Sequence, residues 1–181
     1  MIKKRESQKQ SKIDFRFMSF FFRIRDKFHP PSNKIEKAKI QVDDFVLDYG
    51  CGPGSYTLAA VDVVGSSGKV IAVDINPLAI NKVKEKATKR TLNNIETVLT
   101  DCKTGLDAES IDVIICFDVL HDIEEKHCIL NEFHRLLKKN SRLSVDDHHM
   151  KEEELIALIS DNGLFELEEV NGKICNFKKK S

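Results

Sequence analysis

The sequence has no long apolar run, no net charge and no closely paired cysteines, and each absence excludes a class of protein. Without a stretch of about 20 apolar residues, no transmembrane helix is expected. The first residues are basic but lack the apolar core and cleavage site of a signal peptide. Because the five cysteines form no C-x-x-C pair, we expect free, mostly buried thiols and a cytoplasmic protein.

Charge is unevenly distributed along the chain although it sums to zero. Residues 1–40 hold 12 lysines and arginines against 4 acidic residues. The rest of the chain holds 17 basic and 25 acidic side chains. Because nucleic-acid-binding domains present basic surfaces, the acidic main part of the chain predicts no nucleic-acid partner.

Phenylalanine is concentrated near the N-terminus, where six of the 11 phenylalanines precede Pro30. Phe17, Phe21, Ile24 and Phe28 have helical spacing, which predicts an amphipathic helix that ends before the proline. We favour a helix docked near the mouth of a ligand site, where it either closes the core or acts as a lid. Contact with a membrane surface or a lipid substrate is the alternative, without stable insertion.

Strand and helix patterns alternate in the remainder of the chain. Strands are predicted at 45–47, 69–74, 95–99, 111–117 and 142–145. Helices are predicted from about residue 55, at 77–91, from a capping pair at Asp122 and Glu125 to Lys139, and at 151–162. Asn171-Gly172 is a hairpin turn signal between two further strands. Such alternation predicts a parallel sheet with helices on both faces, and the hairpin adds one antiparallel strand.

A glycine-rich turn follows the first predicted strand, in the sequence Val-Leu-Asp-Tyr-Gly-Cys-Gly-Pro-Gly. Gly50, Gly52 and Gly54 allow positive φ and close approach of a ligand to the backbone. The helix behind them would direct its free N–H groups at that ligand. Dinucleotide-binding proteins have G-x-G-x-x-G instead, so this spacing, together with Asp48 before the turn, argues against an NAD-dependent oxidoreductase.

The Asp-x-Gly-x-Gly-x-Gly block resembles motif I of the class I S-adenosylmethionine-dependent methyltransferases. The resemblance extends over 45–177 and is nearest to the ubiquinone/menaquinone C-methyltransferases and the arsenite methyltransferases. It implies an α/β fold, a Rossmann-like doubly wound seven-stranded sheet of order 3-2-1-4-5-7-6 with strand 7 antiparallel. Residues 1–40 would form a helical extension, and residues 41–181 the S-adenosylmethionine-binding domain.

The resemblance also implies which residues bind the cofactor. The turn, formed by Gly50, Cys51, Gly52 and Gly54, would embrace its methionine part, and Asp48 suits a ligand that is positively charged there.

Three further strand ends complete the implied cofactor site. Asp74, which ends the second strand, would accept both ribose hydroxyls. Ile75 would lie on the adenine face. Asp101 would accept from the adenine amino group, and the backbone N–H of the next residue, Cys102, would donate to the ring. Phe117, the last residue of the fourth strand, and Asp118, directly after it, would complete the site, with Asp118 meeting either cofactor or substrate.

Candidate catalytic residues are histidines that follow the fourth and fifth strands. His121, His148 and His149 could each serve as a general base, because histidine titrates near neutrality. Asp146 and Asp147 lie beside the last two, but adjacent residues of an extended segment point in opposite directions. All four side chains therefore cannot share one ion, and we assign no metal, although part of a divalent metal site stays open as the alternative to a base.

The expected function is transfer of a methyl group from S-adenosylmethionine to a small-molecule acceptor by in-line displacement. The Asn/Asp-Pro-Pro-Tyr signature of enzymes that methylate amides and nucleobases is absent. Methylation of arsenite needs thiols that converge on the metalloid. Because Cys51 and Cys116 lie in or beside strands and look structural, arsenite is not the expected acceptor. Two alternatives stay open: a non-catalytic cofactor-binding subunit, and an enzyme whose protein or lipid substrate docks on the N-terminal extension. The sequence does not predict an oligomeric state.

Overall fold

The structure is a computed structural model that describes residues 12–180. Its elements alternate along the chain much as the apolar patterns predict. They are α1 (Lys12–Phe28), α2 (Pro31–Lys37), β1 (Phe45–Tyr49), α3 (Ser55–Val64), β2 (Lys69–Asp74), α4 (Pro77–Lys89), β3 (Ile95–Leu99), β4 (Ile111–Phe117), a 3₁₀ turn (Leu120–Asp122), α5 (Lys126–Leu136), β5 (Leu137–Asp146), α6 (Glu152–Ser160), β6 (Phe165–Asn171) and β7 (Ile174–Lys179).

The strands form one seven-stranded sheet in the order β3-β2-β1-β4-β5-β7-β6. Neighbours from β3 to β5 pair in parallel, and β7 pairs antiparallel with both β5 and β6. This topology confirms the predicted fold. The carboxyl ends of β1, β2, β3, β4 and β5 therefore meet at one edge, where open α/β sheets bind their ligands.

Alternate residues of the central strands supply two cores on opposite faces of the sheet. Val46 in β1 and Val113 in β4 pack with α2 and α3. Leu47 and Ile114, one residue further along each strand, pack with α5 and α6. The strands are apolar on both faces because helices cover both, as in other parallel sheets.

The boundary between α5 and β5 differs from the prediction. The helix ends at Leu136 and the strand begins directly at Leu137. Residues 137–139, which were predicted to end the helix, therefore belong to the strand. The predicted capping pair is wrong: Asp122 ends a 3₁₀ turn, and Glu125, which precedes α5, makes no capping hydrogen bond through its side chain. Residues 120–122 form their own turn instead of the first turn of α5.

The β6–β7 hairpin is confirmed, but its turn lies one residue later than predicted. Asn171 still pairs with Ile174, so the two-residue loop is Gly172-Lys173. Gly172 has φ +68°, which suits the first position of a tight hairpin loop. On α4, Asn76 caps the helix as predicted, since its side chain accepts from the Leu78 N–H at 2.9 Å.

The two N-terminal helices contribute differently to the fold. Ile35 of α2, with Ala38 just after it, is fully buried in the core against α3. The amphipathic helix α1 is confirmed, but its apolar face points to solvent, whereas a helix that closes the core would bury that face. Phe17, Phe21 and Phe28 are exposed. No helix within residues 12–180 is long and apolar enough to cross a membrane.

The expectation of free thiols is wrong for two of the cysteines. Cys102 and Cys128 form a disulfide that joins the loop after β3 to α5. Cys51, Cys116 and Cys175 are free and buried, as expected. The two bonded residues are 26 positions apart, and nothing in that spacing indicates that they form a disulfide. The predicted cytoplasmic location therefore loses the argument from free thiols and stays a prediction.

Candidate functional site

The glycine turn between β1 and α3 forms the centre of the site. Gly50, Gly52 and Gly54 have φ of +75°, +51° and +83°, a region that side chains rarely adopt. A Cβ on Gly50 would clash with a methyl group of Val119. The Gly50 N–H donates to the Val73 carbonyl at 2.8 Å. Glycine is therefore required for both backbone conformation and close packing.

Asp74 at the end of β2 braces this turn from the side. One of its oxygens accepts from the Gly52 N–H and the other from the Asn76 N–H, both at 2.8 Å. Burial raises the pKa of Asp74, and these backbone donors offset part of that effect. A carboxylate oxygen has two lone-pair sites, so each oxygen retains one for a hydroxyl group.

Asp48 lies beneath the turn, not at its surface. Its side chain is only 2% exposed, and it accepts from the Thr57 hydroxyl at 2.5 Å. Burial raises its pKa to about 7, although the Thr57 bond lowers it in part. Asp48 would therefore affect a cationic ligand through its electrostatic field and not through direct contact.

Apolar side chains lie exposed beside the ends of β2 and β3. Ile75 is 61% exposed and Leu99 is 56% exposed, and an aromatic base could cover such side chains. Leu99 was missed by sequence reasoning because it reads as an ordinary strand residue.

Asp101 and Cys102 follow β3 at the same edge of the sheet. The Asp101 carbonyl accepts from the Tyr49 hydroxyl at 2.9 Å, and its side chain is exposed. The Cys102 N–H already donates to Thr100 Oγ1 at 3.3 Å. A ligand that uses this N–H would therefore compete with Thr100.

The end of β4 carries a network of charged groups. Phe117 is buried against Tyr56, with ring centroids 5.1 Å apart. Asp118 has φ +58° and accepts from His148 Nδ1 at 2.6 Å. Lys34 Nζ lies 3.2 Å from the other Asp118 oxygen. Burial alone would raise the pKa of Asp118, but His148 and Lys34 together hold it below its ordinary value.

Lys34 was not predicted, yet it links α2 to the ends of two strands. Its ammonium group lies 2.6 Å from Asp146 and over the rings of Tyr56 and Phe117. Burial would lower the pKa of Lys34, but Asp146 and the neighbouring groups raise it overall. Burial raises the pKa of Asp146, which Lys34 offsets only in part. Because Asp146 and Phe117 lie more than 80 residues from Lys34 in sequence, no local pattern indicates these two contacts.

The three predicted histidines come together at this edge. The His149 ring centroid lies 4.1 Å from that of His121 and 3.8 Å from that of His148. His121 Nδ1 lies 2.9 Å from Asp147 Oδ2, and the His121 N–H donates to the same oxygen. Burial would raise the pKa of Asp147, but the bonds from His121 and from the His149 N–H lower it.

The Asp147 contact sets the tautomer of His121. An ionised carboxylate only accepts hydrogen bonds, so the neutral ring carries its proton on Nδ1. Nε2 is then free to take up a proton, and Asp122 lies 3.4 Å from it. A protonated ring would be flanked by two carboxylates. Within residues 12–180, no three His, Cys, Asp or Glu side chains have a metal-binding arrangement.

Helix α1 packs beside the glycine turn through the face opposite its exposed phenylalanines. The Phe22 ring lies 3.9 Å from where a Cβ of Gly52 would be. Asp26 accepts from the Ser55 hydroxyl at 2.5 Å, at the start of α3. The Arg25 guanidinium lies 4.5 Å from the Phe22 ring centroid. The helix therefore borders the candidate cofactor site, and its docked position stays compatible with a lid.

Comparisons with known proteins agree with this geometry. Residues 40–180 match a family model described as a methyltransferase domain. The chain is 32% identical over 103 residues to the arsenite methyltransferase of Halobacterium salinarum, covering 56% of this chain and 26% of that protein. It is 28% identical over 142 residues to the ubiquinone/menaquinone biosynthesis C-methyltransferase UbiE of a Marinomonas species, covering 77% and 57%. The chain thus spans from about a quarter to just over half the length of these relatives.

A solved structure covers more of both chains. The crystal structure of a SAM-dependent methyltransferase from Aquifex aeolicus superposes with a TM-score of 0.75 at 25% sequence identity. The match covers 85% of this chain and 90% of that one.

Proposed function

Since the chain belongs to the class I S-adenosylmethionine-dependent methyltransferases, we propose that it transfers a methyl group from this cofactor to a small-molecule acceptor. The observation that carries the proposal is the Asp74 carboxylate, which holds the glycine turn and keeps a lone pair on each oxygen for a ribose hydroxyl. Relatives named for methylation of arsenite and quinones are compatible with a small acceptor.

The proposed cofactor contacts follow the strand ends. Gly50, Cys51, Gly52 and Gly54 would line the methionine part through their backbone. Asp74 would accept from the ribose. These assignments are proposals that rest on the family resemblance and on the contacts described above.

The adenine contacts are proposed in the same way. The ring would lie over Ile75 and Leu99, whose side chains are exposed at the carboxyl ends of β2 and β3. Asp101 would accept from its amino group. Phe117 would stay beneath the cofactor as part of the core.

In the proposed reaction the acceptor's electron pair attacks the methyl carbon, and the bond from carbon to sulfur breaks. The electrons of that bond go to the sulfonium, so the products are S-adenosylhomocysteine and the methylated acceptor. The protein mainly aligns the two reactants and excludes water. An acceptor that bears a proton on the attacking atom must also lose it, and this requires a base.

We assign the base role to His121, supported by Asp147. Its Nε2 carries the free lone pair, and the carboxylate holds the ring and would stabilise the imidazolium that forms. His148 has a similar partner in Asp118 but is far more exposed, and the role of His149 would be to pack between the two rings. Asp118 would orient His148 and meet the acceptor at the edge of β4.

The test uses purified protein, S-adenosylmethionine labelled in the methyl group, and a panel of amine, phenol, thiol and activated-carbon acceptors. We expect labelled product from at least one acceptor class. His121→Ala should lower kcat at least 100-fold for acceptors that need deprotonation, with unchanged affinity for S-adenosylhomocysteine. His127→Ala, an exposed histidine on α5, is the matched control and should retain activity.

Each other outcome has a defined meaning. Failure to bind S-adenosylhomocysteine in calorimetry would contradict the proposal as a whole. Binding without turnover on the full panel would favour the non-catalytic subunit. Full activity of His121→Ala would remove only the base assignment.

A further inference from the structure

The exposed face of α1 is an apolar stripe with no partner within residues 12–180. Its members are large side chains with exposed fractions from 39% to 76%, namely Phe17, Phe20, Phe21, Ile24 and Phe28. At about 100° per residue they fall within an arc of about 100°, and they extend over about 16 Å of helix. They make up half of the ten large hydrophobic side chains that are exposed in this part of the chain. Contiguous exposed patches of this kind mark interaction sites.

Positive charge lies along one edge of this stripe. Arg23 and Lys27 are exposed and lie one turn apart, beside Phe20. Arg25 is turned the other way, where it pairs with Asp26 at 2.8 Å. The first 11 residues add four lysines and arginines against one glutamate. The stripe is therefore aromatic in its centre and basic at its border.

We propose that α1 docks the protein on the surface of a lipid bilayer that carries anionic headgroups. A helix with an aromatic face and a basic edge lies in the plane of the interface, with its rings among the acyl chains and its cations at the headgroups. A second copy of the chain fits less well, because face-to-face packing of two such helices would bring like charges together. An anionic bilayer supplies the complementary charge.

The position of α1 gives this docking a consequence for the candidate site. The face opposite the stripe contacts the glycine turn, through Phe22 near Gly52 and Asp26 on Ser55. A bilayer bound to the stripe would therefore lie on the far side of α1 from the turn, about one helix diameter away. The proposal does not depend on the identity of the acceptor.

The experiment is flotation of the full chain with unilamellar vesicles, either of phosphatidylcholine alone or with 30% phosphatidylglycerol. We expect at least tenfold stronger partition onto the anionic vesicles. The double variant F20S/F21S should lose at least tenfold of that binding, because it removes two rings from the stripe. The matched control V42S/V170S changes two exposed apolar residues elsewhere and should bind like the wild type.

Charge is tested separately. R23E/K27E should lose at least tenfold on anionic vesicles, whereas K103E/K139E, with exposed lysines outside α1, should lose less than threefold. Calorimetry with S-adenosylhomocysteine and circular dichroism establish that each variant is folded.

Three results would overturn the proposal. They are equal binding to neutral and anionic vesicles, undiminished binding by F20S/F21S, and absence of vesicle binding. Sedimentation velocity checks the competing occupant: a wild-type dimer that F20S/F21S converts to monomer, without vesicle binding, would assign the stripe to a second copy.

Discussion

Asp74→Ala should remove most of the affinity for S-adenosylhomocysteine. In the structure its two oxygens accept from the Gly52 and Asn76 N–H groups, and each retains one acceptor site. A hydrogen bond to a charged group contributes about 1.5–3 kcal/mol. Loss of two ribose bonds therefore costs about 3 kcal/mol or more, which is a Kd increase of at least about 100-fold.

The assay is isothermal titration with S-adenosylhomocysteine, in parallel with urea unfolding of each variant. Asp62→Ala is the matched control, since it removes an exposed carboxylate from α3 that pairs only with Arg90 among the contacts seen. An analogue without the 2′ hydroxyl sharpens the test. It should bind the wild type more weakly than S-adenosylhomocysteine does, and Asp74→Ala should barely distinguish the two ligands. An unchanged Kd in a folded Asp74→Ala protein would refute the ribose assignment.

Three further predictions concern stability. Gly50→Ala should lower the free energy of unfolding by about 2–4 kcal/mol in urea, because φ is +75° and the new methyl group meets Val119. Gly105→Ala is the control: its φ is similar but nothing lies within 4 Å, so it should cost only about 1–2 kcal/mol. Equal losses in the two variants would contradict the packing argument. Burial raises the pKa of Asp48 from 3.8 to about 7 in the folded protein, so the free energy of unfolding falls as pH rises through that window. Asp48→Asn should therefore be more stable than the wild type at pH 8, by up to about 4 kcal/mol, but not at pH 4; a constant difference would argue against it. Hydrogen bonds from Arg135 lower the pKa of Glu132 to about 2, so its contribution is present above about pH 4.5 and is lost toward pH 2. Glu132→Gln should cost about 2 kcal/mol at pH 7, and this cost should shrink between pH 5 and pH 3 in acid-unfolding titrations.

The sheet was predictable because its information is local. The strands β2, β3 and β4 match the predicted bounds. β2 and β4 are mostly apolar runs of strand length closed by polar residues, whereas β3 is a mixed segment that follows the polar turn Asn93-Asn94. The glycine turn was equally readable, because positive φ at Gly50 and Gly54 leaves a direct trace in the residue type. The order of the strands followed from the family resemblance alone, whereas their parallel direction followed from the alternation of strands and helices.

Contacts between distant segments were not predictable in this way. Nothing near Lys34 in sequence indicates Asp146 as its partner, and Cys102 carries no mark of pairing with Cys128. The exposure of the apolar face of α1 was not predicted, for a related reason. Helical spacing identifies an apolar stripe but does not say whether protein covers it.

The ion pair of Lys34 has a practical consequence for anyone who trims this chain. The family match begins at residue 40, and an expression clone that started there would omit α2 altogether. Ile35 would no longer cover α3, and Asp146 would lose its 2.6 Å cation beside the catalytic candidates. A fragment cut at that boundary would therefore be a poor substitute for the full chain in crystallisation or ligand screening, and its inactivity would say little about the enzyme.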